Sequence, residues 1–267
     1  MSTLRKPLNP EHFIMNLVNT FSSALLLAAS ITAVSADEHP VWTYTGEHGP
    51  AHWSAVDHGF AACEIGRHES PINIENAKPA PPKYPRLAVS YKTLPLDILN
   101  TGHAIQFQAQ ASDSKILLGK GEYQLQQFHF HSPGEERFGG KSSDMDAHFV
   151  HKNSKGQLAV LAVQFNIGMH PNRELQKLLE QIPAEPGKEQ KMDNVRIDPT
   201  ALLPRKRGYY TYDGSLTTPP CSEGVTWIEF KQAVEISQDQ LEAMQNYYRG
   251  NQRPVQPLNG RVVYEVK

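Results

Sequence analysis

From Glu122 to His131 the chain reads Glu-Tyr-Gln-Leu-Gln-Gln-Phe-His-Phe-His, and its last four positions alternate aromatic and imidazole side chains. Alternation with period two belongs to a β-strand whose two faces meet different surroundings. Such a strand needs neighbours, and the chain supplies them. Leu87–Tyr91, Ile105–Ala109, Ala147–Lys152, Val225–Phe230 and Arg261–Val266 carry β-branched or aromatic enrichment or alternation. Leu158–Phe165 is almost continuously apolar, as expected of a strand covered on both faces. Helical patterns are few: Arg173–Gln181, with Leu175, Leu178 and Leu179, and Ser237–Tyr248, which opens on a capping Ser237 with Gln240 three residues later. The expected class is therefore α+β, a single domain around a large sheet with short peripheral helices.

The 267 residues suit one domain of this kind. Lys78–Pro85 and Glu185–Lys191 read as surface loops, not domain boundaries. The formal net charge of −2 and the absence of a basic stripe give no reason to expect a nucleic-acid partner.

The N-terminus reads as a secretory signal. Arg5 and Lys6 precede an apolar stretch from Ala24 to Val34, and Val34-Ser35-Ala36 fits a small-residue cleavage site. The stretch is short for a bilayer span, although an uncleaved anchor is the alternative. Residues 1–36 are the expected leader and 37–267 the mature domain, periplasmic or secreted and without a membrane segment. Removing Arg5, Lys6 and Glu11 leaves 24 basic and 27 acidic residues, a net charge of −3. In an exported chain, Cys63 and Cys221 suggest one disulfide, two buried thiols being the alternative.

Chemistry concentrates in the alternating segment. Gln127, His129 and His131 share one face of the strand, while Phe128 and Phe130 take the other. Two imidazoles two residues apart can converge on one ion, and a neighbouring strand carrying Asp146-Ala147-His148 offers a third. Asp146 falls on the face of His148, placed to accept its outer N–H and fix the tautomer. Three histidines without a fourth protein ligand leave a position for water, the pattern of a catalytic zinc site. His68-Glu69 begins like a metalloprotease helix, but Pro71 breaks any helix and position 72 is Ile, not His.

Six segments carry a family resemblance. They are Ser-Pro-Ile-Asn-Ile (70–74), Asn-Thr-Gly-His (100–103), Gln-Phe-His-Phe-His (127–131), Ala-His-Phe-Val-His (147–151), Ser-Leu-Thr-Thr-Pro-Pro (215–220) and Arg-Pro-Val-Gln-Pro-Leu (253–258). Together they resemble the α-class carbonic anhydrases, in family order from about Val41 to the end, and the paired cysteines look like the exported bacterial branch. The resemblance implies a large twisted, mostly antiparallel sheet with zinc at the floor of a conical cleft. It also implies reversible hydration of carbon dioxide to bicarbonate and a proton, with esterase side activity. Relatives of this branch are often dimers, which makes a homodimer an expectation.

Roles carry over by position. His129, His131 and His148 match the zinc ligands, with Gln127 and Asp146 behind them. Thr217 matches the threonine that accepts a hydrogen bond from the zinc-held hydroxide and donates to a buried glutamate, here Glu135. Thr218 lines the same wall. Val150, Val160, Leu216, Val225 and Trp227 match the apolar carbon dioxide pocket. His103 matches the proton shuttle, and Tyr44, Asn100 and Thr101 the water path.

Some positions depart from the family. Asp146 stands where Glu is usual, so its contact with His148 must lengthen, pass through water or draw the strand inward. Weaker metal retention, not inactivity, is expected. Glu69 replaces the usual Gln, Glu136-Arg137 a common His-Thr, and Thr101 a common Asn. Two other functions are the alternatives: a metal-free binding module of the same fold, whose members lose zinc histidines retained here, and a zinc-dependent esterase.

Overall fold

A computed structural model describes residues 41–110 and 112–267. The leader expected over residues 1–36 lies outside the described residues. Ten strands form the main path of one large mixed sheet: β1 (Lys78–Pro79), β2 (Leu94–Asn100), β3 (Ile105–Gln108), β4 (Gly121–His131), β5 (Met145–Lys152), β6 (Leu158–Ile167), β7 (Glu189–Ile197), β8 (Tyr209–Ser215), β9 (Glu223–Phe230) and β10 (Tyr264–Val266). Their order across the sheet is β7-β2-β3-β4-β5-β6-β9-β8-β10-β1. Leu87–Ser90 and Lys115–Leu118 extend it beside β4, and Val234–Ile236 pairs with β6. Most pairings are antiparallel. The parallel ones are β6 with β9, β6 with Val234–Ile236, and β10 with β1.

The apolar run in β6 divides between two faces. Ala159, Leu161, Val163 and Phe165 join the main core, while Val160 and Ala162 join a second cluster with Val225, Trp227, Tyr212, Ile72 and Ile74. A strand buried on both sides needs apolar residues at every position. The main core is anchored by a ladder of rings from adjacent strands: Phe107 stacks on Phe128 at 4.9 Å and Phe128 on Phe149 at 5.0 Å. Offset stacking of this kind adds to the area each ring buries. With the aromatic face of β4 committed to that core, its histidines must face the other way.

The helices are short and peripheral, as expected. Arg173–Leu179 is capped by the Asn172 side chain, which accepts from the backbone N–H of Glu174 and Leu175. Gln238–Gln245 opens on the reciprocal Ser237–Gln240 capping box.

Three local expectations are corrected. The polar stretch 185–191 is not wholly loop, since β7 begins at Glu189. This edge strand pairs with β2 alone, and its residues are mostly exposed or half-buried, so it lacks an apolar pattern. The segment 78–85 also contributes a two-residue strand, β1, on the opposite edge, and Arg261–Val266 becomes regular only at Tyr264. Strand β2 escapes pattern reading because Pro95 interrupts it. The register of β7 shifts between Met192 and Arg196, and Arg196 lies opposite that proline. Cys63 and Cys221 form a disulfide across a sequence separation of 158. Among the described residues no helix is long and apolar enough to cross a membrane.

Candidate active site

The antiparallel register of β4 and β5 sets His148 opposite His129 and Asp146 opposite His131. Paired residues in adjacent strands point to the same side of a sheet, so three imidazoles meet. Ring centroids are 5.0 Å apart for His129 and His131, 5.4 Å for His129 and His148, and 4.6 Å for His131 and His148. A nitrogen from each lies within 4.8 Å of the others.

Each ring is held from behind. His129 Nδ1 lies 2.8 Å from Gln127 Oε1, and His131 Nδ1 lies 2.6 Å from the Asn251 carbonyl oxygen. Both acceptors require a proton on Nδ1, which leaves the Nε2 lone pairs free to coordinate. Nε2 of His131 is buried without a hydrogen-bond partner, as a metal ligand should be before its ion is counted. Burial, reinforced by the neighbouring imidazoles, holds His129 well below the usual histidine range, and burial and His148 lower His131 to about 4. Neutral imidazoles are the form that binds metal. Burial also opposes charge on His148, but Asp146 and Glu136 reverse the balance and raise it well above the ordinary value. Carboxylates that draw a proton onto a ring also favour a divalent cation bound to it.

Glu135 lies beside the triad. Its Oε1 accepts from the Arg253 backbone N–H at 2.7 Å, and its own N–H donates to Asp146 Oδ2 at 2.7 Å. Its Oε2 sits 3.7 Å from His131 Nε2 and 3.8 Å from His148 Nδ1. Burial, aided by Asp146, raises its pKa to about 7 against the pull of His148, the Arg253 N–H and the Thr217 hydroxyl. Thr217 is buried nearby, yet Glu135 Oε2 has no hydrogen-bond partner meeting ordinary geometry among the described residues. The acid at position 69 is paired: Arg253 Nη1 donates to Glu69 Oε2 at 2.6 Å and to the Ser70 carbonyl at 2.8 Å, while Nη2 donates to the Cys63 carbonyl at 2.9 Å.

The histidines line a cleft of about 310 Å³. Val150, Val160, Leu216 and Trp227 give it an apolar wall, with Thr217 and Thr218 beside them. Tyr44, Thr101, His103 and Gln106 lie along the rest, and His103 stacks on Trp42. Burial lowers the His103 pKa, and burial together with Glu135 raises that of Tyr44. Two residues expected at the cleft are not among those lining it. Val225 is buried in the second apolar cluster with Val160 and Trp227. Asn100 shapes the turn instead: its Oδ1 accepts from the Gly102 N–H at 3.2 Å and from the Tyr248 hydroxyl, and its Nδ2 donates to the Pro183 carbonyl. Gly102, at φ +87°, supplies the left-handed step that delivers His103.

Sequence reading did not single out Asn251, Trp42, Gln106, Arg253 or Glu136 for the site. Asn251 acts mainly through its backbone carbonyl, for which no residue pattern exists. Arg253 could have been suspected from the unpaired acid at Glu69.

A large mixed sheet thus gathers three histidines that could hold a metal ion at the floor of a half-apolar cleft, the concave kind of site in which small molecules bind. The family model for eukaryotic-type carbonic anhydrase matches residues 48–267. A carbonic anhydrase of Pectobacterium atrosepticum is 39% identical over 246 residues, 91% of this chain and 98% of that protein. One of Klebsiella pneumoniae is 40% identical over 248 residues, 92% and 99% of the two chains. The α-carbonic anhydrase of Thermovibrio ammonificans, solved in complex with the inhibitor sulfanilamide, superposes with a TM-score of 0.79 at 41% identity, covering 85% of this chain and 99% of that one. The chain belongs to the α-class, or eukaryotic-type, carbonic anhydrases, an enzyme family acting on a small-molecule substrate.

Proposed function

We propose that this protein catalyses the reversible hydration of carbon dioxide to bicarbonate and a proton, with zinc held by His129, His131 and His148. The observation that carries the reading is the convergence of three imidazole nitrogens within 4.8 Å at the floor of a cleft with an apolar wall. When bound, zinc supplies a Lewis acid that lowers the pKa of a coordinated water to near 7, a general property of such sites for which carbonic anhydrase is itself the standard example.

The chain's own groups do the rest. Gln127 and the Asn251 carbonyl hold His129 and His131 in the coordinating tautomer. Val150, Val160, Leu216 and Trp227 present carbon dioxide, which has no net dipole, with a surface that does not compete for hydrogen bonds. Thr217, buried beside Glu135, would accept a hydrogen bond from the nucleophile and direct its own hydroxyl toward the Glu135 carboxyl, orienting the nucleophile for attack. Thr218 lines the same wall. His103, half-buried at the cleft side, takes the released proton and passes it to solvent, with Tyr44 and Thr101 bordering its path.

Export through a leader over residues 1–36 to the periplasm or beyond, leaving 37–267 as a mature domain free of membrane, is supported by the Cys63–Cys221 disulfide, which persists in oxidising compartments. Hydrolysis of activated esters at the same site is a side reaction of the same nucleophile, and a homodimer is the expected assembly. Carbon dioxide hydration and zinc content, measured on wild type and His148→Ala, test the reading. The wild type is expected to bind one zinc and be inhibited by an aromatic sulfonamide, and the variant to lose both metal and activity. A variant that stays active without zinc contradicts it.

A further inference from the structure

The outer nitrogen of His148 lacks the single close acceptor that the other two ligand candidates have. His148 Nε2 is buried and unpartnered. Asp146 Oδ2 is 3.4 Å away, too far and misaligned for a full hydrogen bond, and that oxygen already accepts the Glu135 N–H at 2.7 Å. The Asp146 stem is one methylene shorter than a glutamate at the same position, and β5 is pinned on both sides by β4 and β6, so the strand is not free to move inward.

A second carboxylate approaches the same nitrogen from another direction. Glu136 Oε2 lies 3.6 Å from His148 Nε2 and has no other partner, though its side chain is fully enclosed. Its Oε1 accepts from the Tyr212 hydroxyl at 3.0 Å. Tyr212 is fixed in turn by stacking on Trp227 and by contact with Ser70 Oγ at 3.2 Å, so Glu136 is anchored from strand β8 and not from the strand that carries Asp146. Glu136 belongs to the Glu-Arg pair that replaces a common His-Thr in the family.

We infer that Glu136 is a positioning residue for His148: it sets a second buried carboxyl oxygen 3.6 Å from the imidazole Nε2, beside Asp146 at 3.4 Å, so that two acceptors face an N–H that neither approaches closely alone. The inference rests on the zinc site proposed above. Shared acceptors hold the ring orientation and raise its basicity as a ligand, the two effects through which groups behind a metal ligand act. A carboxylate buried this deeply, with a free oxygen aimed at a ring nitrogen, is otherwise an uncompensated desolvation.

The test is the rate of zinc loss to an excess chelator, with the melting temperature of each metal-free protein as a check on folding. Glu136→Gln replaces the carboxyl with an amide of the same shape. It is expected to release zinc about 10- to 100-fold faster than wild type, the range seen when such supporting contacts are removed. Adding Asp146→Glu to that variant, which restores a full-length carboxylate, is expected to return the rate to within about threefold of wild type. Glu136→Gln releasing zinc at the wild-type rate overturns the inference. So does faster release that Asp146→Glu fails to rescue, because a general packing defect is indifferent to carboxylate length. Two zinc ions per wild-type chain would also overturn it, since Glu136, Asp146 and His148 would then be ligands of a second ion. A wild type that binds no zinc sinks the functional reading itself and the inference with it, and is distinguished from the other outcomes before any variant is made.

Discussion

The imidazole of His103 lies flat on the indole of Trp42, ring centroids 3.7 Å apart and planes 10° from parallel. Trp42 is braced edge-on by Tyr44 and Trp53, so the platform is fixed. Burial lowers the His103 pKa below its usual 6.5. A relay must be neutral to take a proton, so kcat for hydration is expected to rise with pH through an inflection below 6.5. Trp42→Ala, which opens the ring to water, moves that inflection upward. His103→Ala lowers kcat by roughly 10²-fold, the lower end for a positioned proton-transfer group, with kcat/KM nearly unchanged and imidazole buffer restoring the rate. Stopped-flow hydration in weak buffer reads all three effects, and an unchanged kcat in His103→Ala removes the shuttle.

Thr217 and Glu135 are expected to act as one unit. Thr217→Val and Glu135→Gln each misorient the nucleophile, a loss on the order of 10²-fold, and the double variant is expected to be little worse than either single one. Rates and zinc content of the three proteins decide this. Losses that multiply would show that the two residues act separately.

His151 is absent from the cleft but is expected to contribute to acid sensitivity. It is fully enclosed, with its Nδ1 3.2 Å from the Ala159 carbonyl and its Nε2 accepting from the Tyr91 hydroxyl at 2.8 Å. Burial lowers its pKa to about 3, against the Ala159 and Phe149 carbonyls. Below pH 6.5 the unfolded chain therefore binds a proton that the native state refuses. Stability is unaffected above 6.5 and falls as pH drops from there toward 3, by on the order of 2 kcal/mol at pH 5. Urea unfolding between pH 7 and 5 is expected to show a flatter profile for His151→Gln than for wild type. Parallel profiles contradict the assignment.

The disulfide closes a long loop, and Cys221 lies directly after the Thr217–Thr218 turn, its N–H donating to the Thr218 carbonyl at 2.9 Å. The double Cys63→Ser, Cys221→Ser variant is expected to lose up to about 5 kcal/mol in urea unfolding. No change would mean that the bond constrains little of the unfolded chain.

Much of the site was legible because it depends on periodicity. His129, His131 and His148 declare themselves by alternation along their strands, and the capping Ser237 and the leucines of Arg173–Gln181 mark the short helices. What escaped depends on tertiary contact. Nothing near Asn251 signals that its carbonyl will reach His131, and nothing near Glu136 signals that it will meet His148 from the side of Tyr212. Val225 and Asn100 show the converse: the resemblance places both at the cleft, but Val225 is buried in the cluster it shares with Val160 and Trp227, and the Asn100 side chain is spent on the Gly102 turn. Strand β7 was missed because an edge strand in contact with solvent carries no apolar alternation.

Zinc titration of the metal-stripped protein, followed by carbon dioxide hydration at each addition, bears most directly on the three-histidine site. Activity is expected to be absent at the start, to rise linearly and to stop rising at one equivalent of zinc. Full activity in the stripped protein, or one equivalent of tightly bound zinc with no hydration, would contradict it.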